Sequence, residues 1–278
     1  MNQLTIFKDV KTPVFPFPKT IMTYIFDAAE PWHYKKLNKT CKYIFAKYQR
    51  NCVEWIHLVE AYSPQKPAFE KYKFYTKKEE DFARLSPNLW LMYYLELNRA
   101  STNLYKILIP KISISSLANL TLRRSADFLY EDYKFLTDSG NIETLDLYDT
   151  KIVYSNGEAV ELENILSQVV NAKFITLNPI HTTDDTMQNL LNIQWNQRHR
   201  LFMFRLSSID NYLDPNKFFD FLTKISDMVI MKDNGRCWVK FNTKEETRAF
   251  KAIFKKKIKE YKEPVKGKAE ENVQEMER

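Results

Sequence analysis

Apolar positions along this chain follow two different rhythms. From Phe17 to Tyr62 they recur at helical spacing, whereas from Leu117 onward they fall into short runs in which alternate residues are apolar. Residues 1–15 carry no periodicity and read as an extended lead-in. Phe17-Pro18 then opens a segment with Ile21, Met22 and Ile25 on one helical face, and Pro18 suits a first turn whose N–H groups have no intrahelical partner. Pro31 interrupts, and Leu37, Cys41, Ile44 and Phe45 mark a second helix over 32–48. Val53, Ile56 and Val59 mark a third over 52–62. The proline-containing stretch 63–75 reads as a linker. Residues 77–97 read as helical with a break at Pro87, the cluster Leu89-Trp90-Leu91-Met92-Tyr93 packing the two halves of the chain together.

From there the pattern L-x-x-L-x-L, other apolar residues allowed, recurs as Leu117-Leu120-Leu122, Ile142-Leu145-Leu147, Ala172-Ile175-Leu177, Leu201-Phe204-Leu206 and Ile225-Met228-Ile230. Successive motifs end 25, 30, 29 and 24 residues apart, a spacing that resembles a slightly irregular leucine-rich repeat. A helix-compatible segment lies between each pair: 127–137, 160–170, 183–197, and one opened by Asp214-Pro215 as N-cap and first helical residue. Alternating strands and helices predict parallel neighbouring strands with the helices outside, hence an α/β fold. Asp233-Asn234-Gly235 reads as a turn and 236–241 as a short strand. The helix over 243–261, with Ala249, Phe250, Ile253, Phe254, Ile258 and Tyr261 facing inward, reads as a cap.

Strand side chains alternate, so the motif leucines face the core and the residues between them face out. The outward set is Thr121 and Arg123, Thr144, Asp146 and Tyr148, Thr176 and Asn178, Arg205 and Ser207, and Val229 and Met231. Of these, Arg123, Asp146, Tyr148, Asn178 and Arg205 are the candidate contacts with a protein partner, since Tyr and Arg anchor recognition surfaces.

Composition narrows the function. Hydrophobic residues make up 44% of the chain, with 19 Phe and 16 Tyr, enough for a core. Only 4 glycines occur, far apart, and neither nucleotide cradles nor a G-x-S-x-G elbow is present. The histidines (His33, His57, His181, His199) share no metal-ligand spacing with one another or with cysteine. Asp184-Asp185 suits a helix N-terminus, and Cys41 lies on an apolar stripe as a small buried hydrophobe. The expectation is a protein without catalytic residues, metal or cofactor. The net charge is +7, much of it on the 244–262 helix, whose aromatics occupy the inward face. That makes nucleic acid the weakest reading. No window is long and apolar enough for a membrane span, no secretory leader pattern opens the chain, and the three cysteines lack paired spacing, which points to the cytoplasm or nucleus.

Phe17-Pro18, Ile21, Ile25, Pro31, Leu37 and Cys41-Lys42 together resemble an F-box, although Tyr43-Ile44 stands where that motif commonly carries a tryptophan. The phrases 108–112, 152–157 and 160–166 resemble the large F-box family expanded in nematodes. Patterning and resemblance together divide the chain into four expected regions: an F-box-like helical docking module at 13–60, a helical linker region at 61–99, a repeat-like substrate-binding domain at 100–262, and a polar, disordered tail at 263–278. The resemblance implies a substrate-recognition subunit of a cullin–RING (Skp–cullin–F-box) ubiquitin ligase. Phe17, Pro18, Ile21, Ile25, Leu37 and Cys41 would dock a Skp-type adaptor and through it a cullin, while the repeat face holds a target protein. The alternatives are an interaction scaffold without ligase docking and, behind it, a nucleic-acid-binding protein.

Overall fold

The structure, a computed structural model, describes residues 51–58, 68–70, 72–196, 201–226 and 236–261, together with residues 18, 20, 21, 24, 25, 33 and 36. The chain folds as a mixed α/β protein around a mostly parallel ten-stranded sheet. The strands are β1 (Asn51–Leu58), β2 (Ala68–Glu70), β3 (Lys73–Thr76), β4 (Leu89–Asn98), β5 (Ile112–Ser115), β6 (Asn119–Arg123), β7 (Phe128–Leu129), β8 (Thr144–Tyr148), β9 (Ile152–Val153), β10 (Phe174–Asn178), β11 (Met203–Ile209) and β12 (Cys237–Phe241). Those from β4 to β12 that form the sheet lie side by side in chain order, β4-β6-β8-β10-β11-β12, while β1, β3 and β2 extend it beyond β4. Among the described strands only β2 pairs antiparallel, β5 continues the β6 side of β4, and β7 and β9 make a separate pair.

Helices α1 (Thr102–Leu108), α2 (Tyr130–Thr137), α3 (Leu162–Ser167), α4 (Thr186–Asn192) and α5 (Pro215–Ile225) fill the crossovers, and α6 (Lys244–Glu260) follows the last strand. Local chemistry sets their starts. Asp214 accepts from the N–H groups of Asn216 and Lys217 at 2.8 and 3.4 Å, and Pro215 opens α5. Thr243 caps α6 in the same way through Glu246 N–H at 3.2 Å.

Two apolar rungs cross the inner sheet face at right angles to the strands. One runs Phe74–Ile56–Leu95–Leu120–Leu145–Ile175–Phe204–Cys237, the other Leu58–Leu97–Leu122–Leu147–Leu177–Leu206–Val239. The motif leucines therefore do face the core, and they do so in register from strand to strand. At the far end Phe218 of α5 joins three elements: its ring lies 6.0 Å from Phe204 of β11, and 5.5 and 5.9 Å from Phe250 and Phe254 of α6. The inward stripe of α6 is narrower than its sequence suggests, since Ala249 and Ile253 are exposed.

Four sequence expectations are corrected. The helix expected over 52–62 is strand β1 as far as it is described. The linker at 63–75 contributes β2 and β3, and the helix expected over 77–97 is a short 3-10 turn (Glu79–Arg84) followed by β4. The last repeat strand is β12. Ile225 instead ends α5, and Met228 to Met231, with the turn at 233–235, lie outside the described residues. The cause is irregular pleating. The pairing of β1 with β4 shifts register between Val53 and Trp55, and the N–H groups of Glu54 and Trp55 both point at the Tyr72 carbonyl. Inward residues are consequently spaced by three in β1 (Val53, Ile56) and by four in β4 (Leu91, Leu95), which imitates a helix. The cluster at Leu89–Met92 still joins the two halves, as the strand between β1 and β6.

Candidate functional site

The motif leucines fill the inner face of the sheet, and the alternate strand residues are presented on its outer face. One rank there runs Tyr75–His57–Glu96–Thr121–Asp146–Thr176–Arg205–Trp238 across adjacent strands. It separates into two chemically distinct parts.

On β1, β3 and β4 the outer face is an aromatic plate. His57 stacks on Trp55 and Tyr94 with ring centroids 5.5 and 4.8 Å away, Tyr75 closes the other side at 4.9 Å, and Lys73 sits 4.3 Å over the Trp55 ring. His57 Nδ1 lies 3.1 Å from Glu96 Oε2, and the Tyr94 hydroxyl donates to the same oxygen at 3.3 Å. A carboxylate only accepts, so Nδ1 carries the ring proton. The His57 hydrogen bond holds the Glu96 carboxyl below its ordinary range, against burial, which pushes it up.

The sign of this coupling sets a pH dependence. Because the folded value is depressed, the contact stabilises the fold above the ordinary value of 4.5 and is lost as pH falls through the lowered one. Glu96→Gln is therefore expected to lower the urea midpoint at pH 7, with the gap from the parent chain closing below pH 4.5. Midpoints measured from pH 3 to pH 7 check this, and a gap that stays constant would contradict it.

From β4 to β12 the plate gives way to a hollow of about 720 Å³. Asn98, Arg123 and Arg124 line one end, Asp146, Tyr148 and Thr176 the floor, and Arg205, Ser207 and Trp238 the other end. Asp146 Oδ2 accepts from Arg123 Nε at 3.0 Å and from a second guanidinium nitrogen, which holds the Arg123 proton more tightly than usual. Tyr148 and Trp238 remain 43% and 44% exposed.

Arg123, Asp146, Tyr148 and Arg205, expected from sequence as contacts, are thus brought together. Asn178, expected with them, stands beside Tyr148 in register but does not line the hollow. Thr121 is on the outer face yet only 4% exposed. Asn98, Arg124, Trp238 and the plate residues were missed. For Arg124 the signal was positional, because Arg99, Arg124 and Asp149 each follow a sheet strand with positive φ (57°, 49° and 54°). These turns are tied together: Ala100 N–H donates to Ser125 Oγ at 3.0 Å and Ser125 N–H to Thr150 Oγ1 at 3.1 Å.

Of the expected docking residues, Pro18 and Ile21 are exposed, Ile21 at 44%, and Ile25 is partly buried; Thr20, Ile21, Tyr24 and Ile25 are helical. Phe17, Leu37 and Cys41 lie outside the described residues.

Candidate chemistry elsewhere resolves into structure. His181 Nδ1 meets Asp210 Oδ2 at 2.5 Å, but the other Asp210 oxygen accepts from Thr182 N–H at 3.0 Å, and Asn211 bonds the Thr182 carbonyl, so the pair fastens two loops together. Glu163 is buried and accepts from Thr186 Oγ1 and Asn189 Nδ2 at 2.8 and 2.9 Å, clamping α3 to α4. Burial pushes the Cys237 thiol up to about 12, leaving almost no thiolate at neutral pH. No helix among the described residues is long and apolar enough to cross a membrane. Comparisons with family models, curated proteins and solved structures return no significant match to this chain.

Proposed function

We propose that this chain is a non-catalytic adaptor that holds a target protein on the outer face of its sheet and brings it to a Skp–cullin–F-box ubiquitin ligase. The observation that carries the reading is that outer face, where Tyr75, His57, Glu96, Asp146, Arg205 and Trp238 stand in one rank across neighbouring parallel strands and part of the rank lines a hollow. Aromatic and arginine side chains set in a shallow concavity are what protein recognition uses. The strand–helix units act as irregular leucine-rich-repeat-like modules, each burying its leucines against its neighbours and contributing one strand to the surface.

Ligase docking is assigned to the N-terminal F-box-like segment. The exposed apolar side chain of Ile21 and the 73% exposed ring of Tyr24 support it, because exposed apolar side chains of that kind are stabilised by a partner. The adaptor itself performs no bond chemistry; ubiquitin transfer follows from holding a target lysine near a charged conjugating enzyme. The chain would act in the cytoplasm or nucleus. The test mixes the purified full chain with a purified Skp-type adaptor. Co-elution as a stoichiometric complex is expected, and separate elution at micromolar concentrations of both proteins would overturn the ligase assignment.

A further inference from the structure

We infer that the groove between the outer edge of β12 and helix α6 accepts an extended peptide segment of alternating acidic and apolar residues, added to the sheet as a further strand. This is a second interaction surface, independent of the ligase assignment. β12 is the last strand of the sheet and pairs, among the described strands, with β11 alone. Phe204 and Leu206 of β11 stand opposite Cys237 and Val239. In a parallel ladder such residues bond the neighbours of their partners, and Phe204 N–H accordingly donates to the Arg236 carbonyl at 2.7 Å. Cys237, Val239 and Phe241 therefore turn their own N–H and C=O groups away from β11. At Phe241 that side is closed, because its N–H donates to Thr247 Oγ1 at 2.9 Å. At Cys237 and Val239 it opens on a groove of about 300 Å³. A strand edge of this kind is a template for another strand.

The walls decide which strand fits. Phe250, Phe254 and Ile258 of α6 form the far wall, and Ile258 is only half-buried, so apolar side chains entering the groove complete its burial. Cations stand along the rim. Lys251 and Lys255 line this groove, and Lys240, Lys244 and Arg248 line a hollow of about 220 Å³ that continues it past Trp238. None of these five is ion-paired with a described residue, and no described carboxylate lines either cavity. Neighbouring acids of α6 are engaged elsewhere: Glu246 accepts from the Thr243 hydroxyl at 2.6 Å, and Glu260 lies 3.8 Å from Lys256. Lys251 Nζ sits 4.4 Å over the Trp238 ring, which leaves its charge uncancelled.

A field of one sign selects an anionic partner. A phosphate backbone offers neither N–H groups to the strand edge nor apolar side chains to Phe254 and Ile258. A second copy of this chain would set the same five cations against one another. A polypeptide strand meets all three demands, because its side chains alternate between a carboxylate face and an apolar face while its backbone pairs with Cys237 and Val239.

The probe is the acetylated, amidated heptapeptide Glu-Val-Glu-Val-Glu-Val-Glu, titrated into the full chain by calorimetry. Saturable binding is expected, weakened about 10-fold or more by Lys251→Glu combined with Lys255→Glu, since both rim attractions become repulsions. Lys256→Glu, which does not line the groove, should leave the affinity within about twofold. Thermal midpoints confirm that the variants retain the fold. Backbone methylation adds a readout that charge alone does not move. Successive residues of a strand turn their N–H groups to opposite sides, so one of two peptides, N-methylated at every valine or at every glutamate, should lose about 10-fold or more while the other binds as the parent does.

No binding, equal affinity of the two methylated peptides, or unchanged binding by the double lysine variant would overturn the inference. So would displacement of the peptide by an equimolar single-stranded oligonucleotide, which would assign the groove to nucleic acid. A dimer of the chain that the peptide dissociates would assign it to a second copy, and affinity that rises on removing residues 263–278 would assign it to the chain's own glutamate-bearing tail. Either result overturns the inference equally.

Discussion

Phe218→Ala is expected to destabilise the fold by about 3–5 kcal/mol, the cost of deleting a fully buried aromatic ring and leaving a cavity. Phe218 is 0% exposed and is the ring shared by β11, α5 and α6. Among the residues of α6, only Phe250 and Phe254 are buried, and both lean on Phe218. Loss of the ring should therefore release α6 before the strands toward β4 melt, because each unit of such an array is stabilised mainly by its neighbours. Urea unfolding followed by circular dichroism measures the total loss, and limited proteolysis should cut within 244–260 first. A midpoint within error of the parent chain would show that the aromatic cluster is not the anchor of this end.

The largest functional effect belongs to the opposite end of the chain. Ile21→Asp combined with Leu37→Asp is expected to weaken binding to a Skp-type adaptor by at least about 100-fold, given that anchor residues at protein interfaces contribute 2 kcal/mol or more each. Ile21 is already 44% exposed, so a carboxylate there should cost the fold itself little. Unchanged adaptor affinity would remove these residues from the interface.

Both ends show how far the fold was legible in the sequence. Where strands are regularly pleated the alternation spoke clearly: Leu120 and Leu122, Leu145 and Leu147, Ile175 and Leu177, and Phe204 and Leu206 all point into the core as expected. Where a strand is irregular the same signal misleads. Val53 and Ile56, or Leu91 and Leu95, sit three or four apart because the register slips in β1 and β4, and that spacing reads as a helix. The last repeat failed for a different reason. Ile225 completes an apolar triplet by eye, but the Asp214 cap and Pro215 launch a helix that runs through it, so the strand moves to Cys237–Phe241 and brings Trp238 into the hollow.

The candidate site was legible in part and for a definable reason. Residues that point outward from a regular strand, such as Arg123, Asp146, Tyr148 and Arg205, follow from alternation alone. Which of them share a hollow depends on strand order and register, which no local pattern carries; Asn178 fails to reach the hollow although its alternation is correct. Arg124 depends on a left-handed turn held by the Ser125–Thr150 hydrogen bond, a contact between units 25 residues apart.

The central claim is a division of labour: the N-terminal segment docks the ligase while the outer sheet face stays open for a target. Hydrogen–deuterium exchange of the full chain, alone and saturated with a purified Skp-type adaptor, tests it most directly. The account predicts slowed exchange confined to residues 17–41, with the amides of β6, β8, β10 and β11 unchanged. Protection spreading over those strands, or none at 17–41 in a saturated complex, would contradict it.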